Sequence, residues 1–197
     1  MFRYFFGIFS FLALFLCFSC NTDRRVEGAK EAVEKMKSLQ IKRVTPLQVA
    51  TIVDDWGGRI VKQSQQLLSS ALVKSTETQA LCRLEKLPKI DSLEKLYAVE
   101  IRLLGAKDMQ DQSLSEKERE VLDAYLYNAE KKLPQGSNIQ KLGDSVLIYN
   151  AAVASDDVIC EQCFGADATK LAVWHVKFRK NEVIRKVNAK SLLKKQK

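Results

Sequence analysis

Tyr97-Ala98-Val99-Glu100-Ile101-Arg102-Leu103-Leu104 is the stretch on which the fold turns. Tyr97, Val99, Ile101 and Leu103 alternate with Ala98, Glu100, Arg102 and Leu104, the two-residue period of a strand with one apolar face. Everything upstream has a helical period instead. In Arg25 to Leu39, Val26, Ala29, Val33 and Met36 recur at helical spacing among Lys and Glu. Thr45-Pro46-Leu47-Gln48 is a helix start, with a hydroxyl cap, a proline in the first turn and Gln at the third helical position. The helix it opens is expected to run to about Val73, with Leu47, Ile52, Trp56, Ile60, Leu67 and Leu68 among its apolar positions. Gly57-Gly58 inside it marks a kink or a close contact. A third helical stretch, Thr76 to Lys86, carries Cys82 and ends before Pro88.

Downstream the strands dominate. Ser115-Glu116-Lys117-Glu118 is a capping box opening a helix through about Lys131, which Pro134 and Gly136 terminate. Ser145 to Ala154 reads as a second strand. Leu171 to Val187 reads as a hairpin turning near Lys180-Asn181, with Ala172, Trp174, Val176 and Phe178 on one face. Long helices followed by strands with one inserted helix predict an α+β domain, its helices packed on an antiparallel sheet.

The N-terminus speaks to the compartment. One charge, Arg3, precedes an apolar run from Phe5 to Leu16 and then Cys17-Phe18-Ser19-Cys20. A short charged start, about a dozen apolar residues and a small residue before the cut describe an export signal. Cleavage after Ser19 would leave Cys20 first, as in a bacterial lipoprotein whose new N-terminal cysteine is lipidated. The alternative is an uncleaved membrane helix, for which the 17 residues from Tyr4 to Cys20 are slightly short. The expected organisation is therefore a signal peptide over 1–19, a tether and first helix over 20–44, one domain over 45–187 and a basic tail over 188–197. The location follows as the bacterial cell envelope, facing the periplasm or exterior.

The net charge of +8 is local: residues 177–197 carry nine basic side chains against Glu182 alone, and the other 176 residues balance at 23 basic and 23 acidic. Lys177, Arg179 and Lys180 read as a solvated face. Lys186, Lys190, Lys194, Lys195 and Lys197 suit anionic headgroups or an acidic partner, or a frayed terminus. Nucleic acid is excluded as a partner by export and by the lack of aromatic residues among the lysines.

Cys160-Glu161-Gln162-Cys163-Phe164 carries the chemistry. The spacing is that of a c-type haem tether, with Phe164 where the iron-binding histidine belongs. With Cys20 lipidated and Cys17 removed with the signal, Cys82, Cys160 and Cys163 remain. They admit a tethered haem, or a haem-free domain with a disulfide joining Cys160 to Cys163 or either of them to Cys82. Thiol–disulfide exchange wants its cysteine at a helix N-terminus, whereas Cys160 follows a strand-like segment with loop after it. A three-cysteine metal site lacks a fourth ligand. His175, the only histidine, points with Val173 and Lys177 away from Trp174 and Phe178, and reads as a partly exposed strand residue. No phosphate-cradling glycine loop, nucleophile elbow or metalloprotease helix is present. Asp54-Asp55 and Asp156-Asp157 read as surface charge, so no enzyme is expected.

Three segments in this order resemble a small extracytoplasmic PAS-like domain, the haem c sensor module of bacterial receptors and free-standing lipoproteins. They are the helix opening of Thr45 to Leu72, the Cys-containing segment Ala80 to Ile90, and Val158 to Gly165, similar to the haem-attachment loop apart from Phe164. Two departures stand out: Leu104 to Met109 replaces an arginine-rich, proline-containing stretch, and the family's histidine is absent. The resemblance, which covers Thr45 to Val187, implies a PAS-like antiparallel sheet, thioether roles for Cys160 and Cys163, and Cys82 facing the haem iron from the opposite side. No residue inherits the proximal ligand role. The leading expectation is a haem-free or haem-degenerate relative that binds a small ligand or a partner protein. The alternatives are a haem c protein with unusual axial ligation and, more weakly, a thiol oxidoreductase.

Overall fold

The computed structural model describes residues 44–187, with Ala29 alone before them. The expected signal peptide, Cys20, almost all of the tether and first helix, and the tail over 188–197 lie outside the described residues. Helix α1 (Pro46–Leu72) starts on the expected capping box, in which Thr45 Oγ1 accepts from the Gln48 amide at 3.2 Å and Gln48 Oε1 accepts from the Thr45 amide at 2.9 Å. Val49, Val53, Gly57, Ile60, Val61, Ser64, Leu68 and Leu72 form its buried stripe, the spacing of a helix with one face on a core. The glycine pair makes a close contact: a Cβ on Gly57 would lie 2.3 Å from Tyr149 Cγ, so the Tyr149 ring sits directly on the helix backbone.

Two short helices follow, α2 (Thr78–Cys82) and α3 (Pro88–Tyr97). The second was not expected. Pro88 occupies the first helical turn, where its missing amide costs nothing, so it opens α3 rather than only closing what precedes it. Ala98, in the left-handed region at φ 54°, ends α3 and turns the chain into β1 (Val99–Leu104).

After a 3₁₀ turn at Ala106–Gln110 comes α4 (Glu116–Glu130), then β2 (Asn138–Leu142) and β3 (Val146–Ala152). Strand β2 was also unexpected: it is a half-exposed, polar edge strand with little alternation to read. The chain continues through α5 (Val158–Phe164), β4 (Val173–Arg179) and α6 (Lys180–Lys186). The expected hairpin over Leu171 to Val187 is thus a strand running straight into a helix. The segment leading into Cys160, expected to be strand-like, is instead the first turn of α5, so Cys160 does stand near a helix N-terminus.

The four strands form one antiparallel sheet in the order β1-β4-β3-β2. This is an α+β fold with its long first helix on the sheet. On the α1 side, Trp174, Val176 and Phe178 pack with Ile101, Leu147 and Tyr149 as the main core. On the other side α4 covers Leu104, Leu171 and Val173 with Leu122 and Tyr125. Both faces of β4 are therefore covered.

Candidate functional site

The cysteines converge on α5. Asp157 caps it, its Oδ1 accepting from the Ile159 amide at 2.9 Å while its Oδ2 accepts from Gln65 Nε2 of α1 at 2.8 Å. Asp157 is therefore a structural anchor, not the surface charge expected of the Asp156-Asp157 pair. Cys160, in the first turn, points into the main core and is fully buried; its thiol is free. Burial, reinforced by Asp157, pushes that thiol up to about 11, so it stays protonated near neutral pH.

One turn on, Cys163 is joined to Cys82, the last residue of α2, by a disulfide with its Cα atoms 5.5 Å apart. Of the pairings left open by the sequence, this is the one formed. It ties α2 to α5 across 81 residues of chain.

Phe164 closes α5 with its ring against Gly105, where a Cβ would lie 2.2 Å from Phe164 Cε1. Cys82, Cys163 and Phe164 together line one side of a cavity of about 520 Å³. Ile101, Arg102 and Leu103 of β1 line another side, and Thr78, Gln79 and Gln162 add polar groups. Arg102 is held by Asp111 at 2.5 Å and by Ser113 at 3.0 Å, so its charge is already paired.

A c-type haem does not fit this arrangement. Thioether attachment consumes two free thiols, whereas Cys163 is spent in the disulfide and Cys160 faces the core. Cys82, the residue implied to face the iron, is the disulfide partner itself. Among the described residues no group of three or more His, Cys, Asp or Glu is placed to hold a metal ion.

His175 is not the partly exposed strand residue expected. It is buried under α4, its Nδ1 2.8 Å from Asn150 Oδ1 and its Nε2 3.2 Å from Glu118 Oε1. The parity was right, since His175 does point away from Trp174, but the face it points to is covered. Burial lowers its pKa to about 4, against the opposing pull of Glu118. Lys177, expected in a solvated face, instead bonds Glu118 Oε1 at 3.0 Å. Burial alone would raise the Glu118 carboxyl, but hydrogen bonds from Ser115 and Lys177 outweigh it and hold the group at about 2. Glu118 was legible only as a capping residue; its second role under the sheet needs the α4 docking that no local pattern encodes.

The class defined by these features is an α+β domain with a disulfide-braced cavity beside its edge strand. Comparison with protein-family models, with curated proteins and with solved structures finds no match.

Proposed function

We propose that this chain is a lipid-anchored, extracytoplasmic binding or sensory module, a haem-free relative of the PAS-like haem c sensors, which takes a small ligand in the cavity beside Cys82–Cys163. The observation that carries this reading is the disulfide itself: it uses one of the two tether cysteines to brace a cavity, and disulfides persist in oxidising compartments such as the one an export signal leads to. The cavity supports the binding role, because its volume lies within the usual range for small-ligand sites and its lining mixes apolar side chains with polar and charged ones, Arg83 and Asp108 among them. The sheet order and the long helix across one face are compatible with the PAS-like likeness of the sequence. Attachment through lipidated Cys20 rests on the signal-like N-terminus alone.

The test is production alongside cytochrome c maturation machinery, followed by intact mass and visible spectrum. The expected outcome is no haem-sized mass gain and no Soret band, in the wild type and in Phe164→His alike. Restoring the missing imidazole does not free Cys163. Haem in either protein would contradict the reading.

A further inference from the structure

Cys163 has one bonded partner and a free cysteine close by in sequence. It is bonded to Cys82 on α2, and Cys160 stands three residues away on its own helix. Residues three apart on a helix share a face, and Cys-X-X-Cys pairs close readily. The two pairings are mutually exclusive and differ in consequence. Cys82–Cys163 fastens α2 against α5; Cys160–Cys163 is local and leaves α2 without a covalent tie.

We propose that Cys82, Cys160 and Cys163 form an intramolecular exchange switch, in which Cys163 stays bonded to Cys82 while α2 is docked and transfers to Cys160 when α2 loosens, opening the cavity beside Phe164. This rests on the haem-free reading, since thioether bonds would consume both Cys160 and Cys163. In the exchange Cys160 gives its proton to solvent and its thiolate attacks Cys163 Sγ. The Cys163–Cys82 bond breaks, its electron pair leaves on Cys82 Sγ, and that sulfur takes up a proton. One disulfide forms as one breaks, so no oxidant or reductant is needed.

The fold sets the resting position. On chain statistics alone, closing a loop of 81 residues is about a hundredfold less favourable than closing one of three. The long-range bond is therefore chosen by native packing and is the one lost when packing relaxes. Two features hold the switch shut. Cys160 is fully buried, so its thiolate forms only when the first turn of α5 opens. That turn is pinned by Asp157, which accepts from Gln65 on α1 at 2.8 Å.

The experiment uses the full chain. Purified protein is held at pH 8 in increasing sub-denaturing urea, quenched with acid to stop exchange, then denatured and labelled with excess maleimide while still acidic, and the label is located by non-reducing peptide mapping. Without urea, label is expected at Cys160 and not at Cys82 or Cys163. As urea rises, label moves to Cys82 while Cys160 becomes protected by a bond to Cys163. Gln65→Ala, which removes the α1 latch but no cysteine, is expected to speed that transfer about tenfold. Label confined to Cys160 at every urea concentration would overturn the proposal. As a second readout, Cys82→Ser treated with oxidised glutathione in the same sub-denaturing urea is expected to form an intramolecular Cys160–Cys163 bond. Two persistent thiols, or links between chains, in a Cys82→Ser protein with a native circular dichroism spectrum would also overturn it. If haem were attached, a Soret band would be present before any urea, which separates failure of the haem-free reading from failure of the switch.

Discussion

Gly57 and Gly105 each carry an aromatic ring where a methyl group would otherwise sit, yet the two sites differ in what can give way. The Tyr149 ring over Gly57 is buried between α1 and the sheet, whereas the Phe164 ring over Gly105 is half-exposed at the end of a short helix and can swing aside. Overpacking a tight core costs about 1–3 kcal/mol. Gly57→Ala should therefore lower stability in urea by at least that much, and Gly105→Ala by clearly less; equal losses would mean Phe164 is as rigidly held as Tyr149. His175 gives a second test. Glu118 on α4, Asn150 on β3, and Lys177 and Arg102 on β4 and β1 surround it, and burial holds its pKa near 4 against an ordinary 6.5. Between those values the unfolded chain binds more protons than the folded one, so stability rises with pH. It should be complete above about pH 6.5 and fall by about 3 kcal/mol towards pH 4, from the shift cited. Chemical denaturation across that range should show the fall in the wild type and, above about pH 4.5, a flat profile in His175→Gln. A further loss below about 4.5, as Glu118 protonates towards its lowered value, should persist in both.

At the scale of elements, the disulfide is a covalent tie within the helical layer, spanning 81 residues between α2 and α5. In the chain-entropy account a loop of this size contributes about 4 kcal/mol. The Cys82→Ser, Cys163→Ser double variant should unfold at lower denaturant by roughly that amount, and an unchanged midpoint would mean that α2 is held by packing alone. Elements with strong local signals were legible in the sequence: α1 and α4 through their capping boxes, β1 and β3 through alternation and apolar runs. The misreadings share a cause. Pro88 is equally good at ending one helix and starting the next. Segment 180–186 is too short for its helical period to stand out after a strand. The Cys160 segment resembled an attachment loop, while Asp157, a helix N-cap residue, was read as surface charge. Strand β2 is defined by its pairing with β3, not by its own composition. At the candidate site, Cys160, Cys163 and Phe164 were legible from spacing, and Cys82 from the resemblance of its segment to a family's helical Cys segment. Which two cysteines bond was not, because that depends on where α2 docks.

For the whole molecule, the sheet with helices on both faces places two different chemistries on its two sides. On the α1 side lie Trp174, Cys160 and the disulfide-braced cavity; on the α4 side lies the Glu118–His175–Lys177 cluster. The basic side chains that dominate the net charge fall mostly after β4. Within the described part, Arg185 pairs with Glu182 and Lys186 bonds the Leu96 carbonyl at 2.9 Å, so these two serve the fold before any partner. The proposed function needs the cavity, the disulfide and the anchor at Cys20 in one exported chain, with the first two following from how Cys163 is used. The most direct measurement is a non-reducing peptide map of the protein isolated from cells that produce the full chain. The account predicts a Cys82 peptide linked to the Cys163 peptide, with Cys160 unlinked and unreactive to maleimide until denaturation. A haem-bearing Cys160–Cys163 peptide, with Cys82 free, would contradict it.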